Sequence, residues 1–316
     1  MTTPLAGDAV ADLGYDGRVA IVTGAGGGLG REHALLLASR GAQIVVNDVG
    51  GSISGEGGDA GRAQRTAKEI EDLGGVAVAD INTVATPEGG EAIVRTALET
   101  FGRVDIVINN AGILRDKTFH NMTPDMFDQV VRVHLNGAFN VTRAAWVPMR
   151  ESGFGRIVST SSSAGILGNF GQVNYGAAKM GLVGFTRVLA QEGAKYNIKA
   201  NILAPVARTR MTEDLLGPLA DRLDPALVSP VVAWLAHEDC PVTGEIYSAG
   251  GGRVARMFIG VTPGYYNPRL TVEDIRDHFE ELRTEAGYTV PNSTNEELAI
   301  LMAVFEQGAV SPHPGE

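Results

Sequence analysis

Six short apolar runs rich in β-branched residues recur along the chain, at positions 19–22, 44–46, 76–78, 104–108, 157–158 and 200–203. Longer stretches of helical character separate them, including 31–39, 92–101 and 126–149. Strands that alternate with helices form βαβ units, and βαβ units build a parallel sheet with helices on both faces. The predicted fold is therefore α/β, a doubly wound parallel sheet. Ligands of such sheets sit beyond the carboxyl ends of the strands, so the residues just after each run are where chemistry is expected.

One of these junctions is unusual. The first run continues as Val22-Thr23-Gly24-Ala25-Gly26-Gly27-Gly28-Leu29-Gly30-Arg31, a glycine-rich turn between a buried strand and a helix. Glycines let the backbone approach a pyrophosphate, and the unpaired N–H groups at the helix N-terminus receive its charge. The spacing is T-G-x3-G-x-G, through Gly24, Gly28 and Gly30. The second strand ends at Asn47-Asp48, 18 residues beyond Gly30, where an acid can hydrogen-bond an adenosine ribose diol and repel a 2′-phosphate. Neither Gly27 nor the residues right after Asp48 supply a cation for that phosphate, so NAD is expected rather than NADP. The segment 50–61, with six glycines, reads as a flexible loop inserted after the second strand.

A formal net charge of −11 over 316 residues argues against a nucleic-acid or anionic-membrane surface, which needs clustered Lys and Arg. Cys240 is the sole cysteine, so no intrachain disulfide forms, and no apolar run reaches membrane-spanning length. The first 16 residues hold three acids and no Lys or Arg, unlike a signal or transit peptide, so a cytoplasmic protein is expected. No metal site is expected.

Tyr175 and Lys179 lie four residues apart, on one face of a helix if the segment is helical. A free tyrosine titrates near ~10, and a nearby cation lowers such a pKa by roughly 1 to 3 units. Tyr175 could then act as base toward an alcohol or as acid toward a ketone. Ser159-Thr160-Ser161-Ser162-Ser163 follows a strand run directly, and Ser162 precedes Tyr175 by 13 residues.

Together with Asn109-Asn110-Ala111-Gly112 after the fourth run, these motifs resemble the short-chain dehydrogenase/reductase family, over about residues 15–252. The resemblance implies a Rossmann-like sheet of about seven strands. It also implies that Ser162 polarises the substrate oxygen, Tyr175 transfers the proton, and Lys179 lowers the tyrosine pKa and binds the nicotinamide ribose. Dinucleotide contacts are implied at Gly24, Gly28, Leu29, Gly30, Asp48, Asn82, Thr83, Asn109, Ala111, Gly112, Tyr175, Lys179, Pro205, Ala207 and Thr209. Two positions depart from the pattern. His134 stands where the family has an Asn that holds a relay water, and could either hold that water or simply pack; Val206 replaces the glycine of a Pro-Gly pair. The stretch after it, Ala207 to Thr212, is expected to run past the nicotinamide.

Longer strings are more specific: Val45-Val46-Asn47-Asp48 with its insertion, Asn109 to Asp116, Arg132 to Gly137, Thr142 to Trp146 and Gly168-Asn169-Phe170-Gly171-Gln172. They resemble the (3R)-hydroxyacyl-CoA dehydrogenase module of peroxisomal multifunctional enzyme type 2, also known as 17β-hydroxysteroid dehydrogenase type 4, in a stand-alone bacterial form. His134 is shared with that subgroup. The resemblance implies oxidation of a β-hydroxyacyl-CoA, with steroid-derived acyl-CoA thioesters or 17β-hydroxysteroids as candidates, and a homodimer or homotetramer built on the helices within 121–149 and 175–196. For the CoA phosphates, Arg208, Arg210, Arg253 and Arg256 are the expected cations. The rival within enzymes is a 3-oxoacyl carrier-protein reductase using NADPH, against which Asp48 speaks. The rival outside them is a silent NAD-binding sensor or scaffold, against which the retained Ser162, Tyr175 and Lys179 speak.

Beyond Gly250 no further strand run is evident, and two helical segments are expected, capped at Thr271 with Asp274 and at Thr294 with Glu297. The predicted division is a catalytic domain over 1–252 and a helical extension over 253–316, packed on the same domain or on a neighbouring subunit.

Overall fold

The computed structural model describes residues 13–59, 61–209 and 217–309. The described residues form two compact units, divided between Arg256 and Met257. The first is built on one sheet of eight strands in the order β3-β2-β1-β4-β5-β6-β7-β8. These strands are β1 (Val19–Thr23), β2 (Gln43–Asn47), β3 (Val76–Asp80), β4 (Ile106–Asn109), β5 (Gly155–Thr160), β6 (Ile198–Pro205), β7 (Ile246–Gly250) and β8 (Arg253–Met257). Every pairing from β3 through β7 is parallel.

The helices α1 (Gly28–Ser39), α2 (Gly61–Asp72), α3 (Pro87–Phe101), α4 (Pro124–Val131), α5 (Gly137–Ser152), α6 (Ser163–Leu167), α7 (Val173–Gly193) and α8 (Ser229–Ala236) cover its faces. Alternate residues of each strand serve opposite layers. Ala20, Val22, Ile44, Val46, Ile106 and Ile108 pack with Leu37 of α1, Ile70 of α2 and Leu235 of α8. Val19, Ile21, Val45, Val107 and Ile157 pack with Ile93 of α3 and Val141 and Met149 of α5. A sheet buried on both sides explains why its central strands read as unbroken apolar runs rather than alternating ones.

Three expectations change. First, the chain does not leave the sheet after Gly250: Gly251 and Gly252, at φ of 58° and 81°, turn it back into β8, which borders β7. A two-residue link with both φ positive suits glycine and a hairpin. Second, the helix expected over 126–149 contains a π-helical turn, Arg132–Asn136, between α4 and α5. An inserted residue of this kind shifts the helix face, often at a functional site. Third, the insertion at 50–59 is an ordered loop: Gly50 and Asp59 close its ends (Asp59 N–H to Gly50 O, 3.0 Å), and Leu114 N–H donates to Ile53 O at 2.9 Å.

The second unit carries the short helices α9 (Val272–Asp277) and α10 (Phe279–Arg283) and the longer α11 (Thr294–Ala309). Thr271 and Asp274 form the expected reciprocal cap. At α11 the capping hydroxyl is that of Ser293, which accepts from Glu296 N–H at 3.3 Å, one residue earlier than expected. Phe258 stacks on Tyr288 and Tyr265 on His278.

Candidate active site

The strand order reverses between β1 and β4, and a cavity of about 770 Å³ opens at the carboxyl ends of the strands there. The β1 turn is held to β4 by a small polar clasp. Thr23 Oγ1 accepts from the backbone N–H groups of Asn110 and Ala111 at 3.0 and 3.1 Å, and the Asn110 amide donates to Thr23 O at 3.0 Å. Glycine is required where the turn closes. A Cβ at Gly30 would stand 2.3 Å from Gly24 O, and one at Gly26 would stand 2.8 Å from the Asp48 carboxylate. Helix α1 then starts at Gly28 with no side-chain cap and no acid in its first turn. Space is open beside Gly27, which lines the cavity with Gly28, and an uncapped helix start of this kind suits an anion.

Asp48 sits at the end of β2 and lines the cavity. Its two oxygens accept from Gly26 N–H at 2.9 Å and Gly50 N–H at 2.6 Å, so the carboxylate is fixed in orientation and keeps further lone pairs for a ligand.

Ser162 follows β5 and caps α6, its hydroxyl accepting from Ala164 N–H at 3.2 Å. Tyr175 on α7 lines the same cavity, and the Ser162 hydroxyl acts to lower the pKa of its phenol. One turn on, Lys179 is buried, donates to the Thr160 carbonyl, and places Nζ 5.4 Å from the Tyr175 ring centroid. Burial pushes the Lys179 ammonium down to about 7. Burial also raises Tyr175, with Ser162 opposing and the Asp116 charge adding to the rise. The expected lowering by Lys179 is thus absent in the protein alone, because a lysine driven toward neutrality and tied to a carbonyl offers the phenol little positive field.

His134 occupies the π-helical turn and is buried. Its Nε2 lies 2.8 Å from Ile113 O and 3.0 Å from Ile113 N, and its Nδ1 has no protein partner. Burial, then Lys179, holds its pKa well below the usual histidine range, so the ring is neutral. A Cβ at Gly112 would stand 2.3 Å from His134 Cε1, which is why the loop after β4 carries a glycine there.

Of the residues assigned from sequence, Gly24, Gly28, Leu29, Asp48, Thr83, Ala111, Gly112, His134, Ser162, Tyr175, Lys179, Pro205, Ala207 and Thr209 line the cavity. Gly30, Asn82 and Asn109 do not line it. Gly30 packs against Gly24, the Asn82 carbonyl accepts from Asn47 at 2.8 Å, and Asn109 donates to Thr142 Oγ1 at 2.9 Å. Of the arginines expected at the mouth, Arg208 pairs with Asp221 at 3.2 Å and Arg256 with Glu245 at 3.1 Å, and neither they nor Arg253 are among the residues that line the cavity. Arg210, with Met211 and Thr212, lies outside the described residues. Arg132 is the arginine on the cavity wall among the described residues. It falls inside the Arg132 to Gly137 string, whose composition alone says nothing of which face it presents. Ile53, Gln129, Asn169 and Gln172 also line the cavity and were not assigned.

Among the described residues no helix is long and apolar enough to cross a membrane, and no group of His, Cys, Asp and Glu could hold a metal ion. Cys240 is buried.

The short chain dehydrogenase family profile matches residues 18–217. A short-chain type dehydrogenase/reductase of Mycobacterium tuberculosis is 49% identical over 276 residues, covering 87% of this chain and 96% of that protein. Peroxisomal multifunctional enzyme type 2 of Mus musculus is 44% identical over 310 residues, but the chain spans only 42% of it. A hydroxyacyl-CoA dehydrogenase of Mycobacterium tuberculosis is 38% identical over 249 residues, 73% of this chain and 75% of that protein. Among solved structures, full-length peroxisomal multifunctional enzyme type 2 of Drosophila melanogaster superposes with a TM-score of 0.79 at 37% identity, over 93% of this chain and 50% of that one. With the profile running through the glycine turn and the Ser, Tyr and Lys positions, and a relative matched nearly end to end, the chain belongs to the short-chain dehydrogenase/reductase family.

Proposed function

We propose that the protein is an NAD-dependent dehydrogenase that oxidises the secondary alcohol of a (3R)-hydroxyacyl-CoA to the ketone. The observation that carries this reading is one cavity lined by Ser162, Tyr175 and Lys179 together with the uncapped start of α1 and the oriented Asp48. The glycine cradle, the free helix N–H groups and a carboxylate at the end of β2 fit a nicotinamide dinucleotide, and the carboxylate fits a ribose diol better than a 2′-phosphate.

When bound, the oxidised dinucleotide supplies the hydride acceptor. The chain supplies the rest. Gly24, Gly28 and the α1 N-terminus hold the pyrophosphate, and Pro205, Ala207 and Thr209 border the nicotinamide end. Ser162 donates a hydrogen bond to the substrate oxygen and keeps it within reach of the phenol. Tyr175, as phenolate, takes the hydroxyl proton as the carbinol carbon loses its hydride, so proton and electron pair leave on opposite sides of one carbon–oxygen unit. Lys179 fixes the floor of the site through Thr160 and returns toward its charged form as the phenolate develops beside it. One relative carries a name that fits this substrate class, the hydroxyacyl-CoA dehydrogenase of Mycobacterium tuberculosis.

NADH formation with (3R)-hydroxyacyl-CoA, its (3S) epimer, a steroid side-chain hydroxyacyl-CoA and a free 17β-hydroxysteroid, each with NAD and with NADP, tests the reading. Oxidation confined to the (3R) thioesters with NAD supports it; oxidation of the free steroid alone replaces it. Asp48→Asn keeps the shape of the loop while removing the charge, and should narrow the preference for NAD over NADP by roughly ten-fold.

A further inference from the structure

The wall of the cavity beyond Tyr175 is formed by Gly168, Asn169 and Gln172, from the loop that leads into α7. Gln172 is buried, and both ends of its amide are engaged: Nε2 donates to Asp116 Oδ2 at 2.6 Å, and Oε1 accepts from Asn169 Nδ2 at 2.9 Å. Asp116 is exposed, yet its backbone is pinned on both sides. Lys117 N–H donates to Gly171 O at 2.9 Å, and Asn174 donates to Arg115 O at 2.9 Å. The neighbouring Arg115 guanidinium is turned to Ser54 O and Glu56, so it does not pair with Asp116. Asp116 does not itself line the cavity, but its carboxylate stands directly behind the cavity-lining amide of Gln172 and adds to the rise of the Tyr175 pKa.

We propose that Asp116 is a specificity-determining residue that rejects ligands bearing a carboxylate two bonds from the reacting carbon and reserves the site for neutral acyl groups. This rests on the β-hydroxyacyl reading, in which the acyl carbon lies two bonds from the carbinol. In a free β-hydroxy acid that carbon carries a full negative charge; in a thioester it carries none. A second carboxylate brought within several ångströms of Asp116 meets like-charge repulsion on the order of 1 kcal/mol in a partly wet site, which corresponds to about five-fold in affinity. The thioester meets the Asn169–Gln172 amides with no such penalty, and the Asp116 anchor keeps those amides from rotating.

The test is ligand binding to the NADH-loaded enzyme, read by nucleotide fluorescence, with acetoacetate and the N-acetylcysteamine thioester of acetoacetate as probes. Wild type should favour the neutral thioester, and the preference should shrink as salt rises, because charge repulsion is screened. In Asp116→Asn, which keeps an acceptor for Gln172, the preference should fall by roughly five-fold and lose its salt dependence. Asp116→Glu should restore both. A preference unchanged within two-fold in Asp116→Asn, or one insensitive to salt in wild type, overturns the proposal, as does failure of wild type to bind either probe. The β-hydroxyacyl reading fails separately, if wild type binds the thioester but never oxidises a (3R)-hydroxyacyl thioester with NAD.

Discussion

The imidazole of His134 stands edge-on to the phenol of Tyr175, ring centroids 5.3 Å apart and planes at 87°. The histidine touches the catalytic ring through its edge while its Nε2 is held by the Ile113 backbone, so it positions the phenol rather than titrating beside it. His134→Leu should leave unpaired the one Ile113 backbone group that Nε2 satisfies in its tautomer, costing about 1 to 3 kcal/mol in unfolding free energy. Turnover should fall by roughly ten-fold or more as the ring loses its support, since small displacements of a reacting group are expensive. His134→Asn can still meet the Ile113 backbone and should recover most of both losses. Gly112→Ala drives a methyl toward His134 Cε1 and should reproduce the kinetic defect. Denaturant unfolding and steady-state rates on the three variants check this.

Burial raises the Tyr175 pKa and the Ser162 hydroxyl lowers it. Alcohol oxidation needs the phenolate, so kcat/KM for oxidation should climb with pH through the neutral range without a plateau, while ketone reduction, which needs the protonated phenol, should stay flat there and fall only at pH above the ordinary tyrosine range. Ser162→Ala removes the lowering influence and should move both limbs to higher pH. Tyr175→Phe should cost roughly 10² to 10⁴ in rate at every pH, with dinucleotide affinity nearly unchanged. pH–rate profiles in both directions, with NADH binding measured alongside, decide it.

The sheet, the glycine turn, Asp48 and the Ser162, Tyr175 and Lys179 grouping were legible in the sequence because each depends on local order: a strand run, then a turn, then a helix cap. What was not legible depends on side chains meeting across the fold. The electrostatics of Lys179 follow from its complete burial against Thr160, which no spacing reveals. Arg208 and Arg256 are engaged by Asp221 and Glu245, pairings that no motif in the sequence announces. Gln172 and Asp116 are 56 residues apart and meet only because the loops after β4 and before α7 fold over one cavity. The strand β8 was missed because a Gly-Gly pair reads equally well as the end of a pattern or as its reversal.

A second buried histidine sets the acid limit of stability. His33 on α1 is 1% exposed, its Nδ1 lies 2.8 Å from Ser229 Oγ on α8, and burial pushes its pKa down to about 3. The folded value lies below that of the unfolded chain, so the unfolded state takes up the proton first. The contribution of neutral His33 is therefore complete above pH ~6.5 and is lost as pH falls toward 3, at about 1.4 kcal/mol per pH unit. His134 is depressed in the same direction, so urea unfolding between these limits should show at least that slope, and His33→Gln should reduce it by one proton.

The glycine-rich insertion is held over the cavity by one side chain more than by any other. Arg115 donates from Nε to Ser54 O at 3.0 Å and from its guanidinium to Glu56 at 3.3 Å, while Ile53 and Gly55 line the cavity beneath. Its neighbour Leu114 adds a single backbone bond to Ile53. A loop with six glycines in and beside it has high conformational entropy when released, so its order depends on these contacts. Arg115→Ala should speed proteolytic cleavage within residues 51–58 and weaken dinucleotide binding about five-fold, roughly 1 kcal/mol, with a smaller change in kcat. Saturating NADH should restore much of the protection, because a ligand that binds only the closed loop stabilises it. If cleavage is as slow in Arg115→Ala as in wild type, the Leu114–Ile53 bond and the closure between Gly50 and Asp59 suffice to hold the loop, and the guanidinium serves only to fix Glu56.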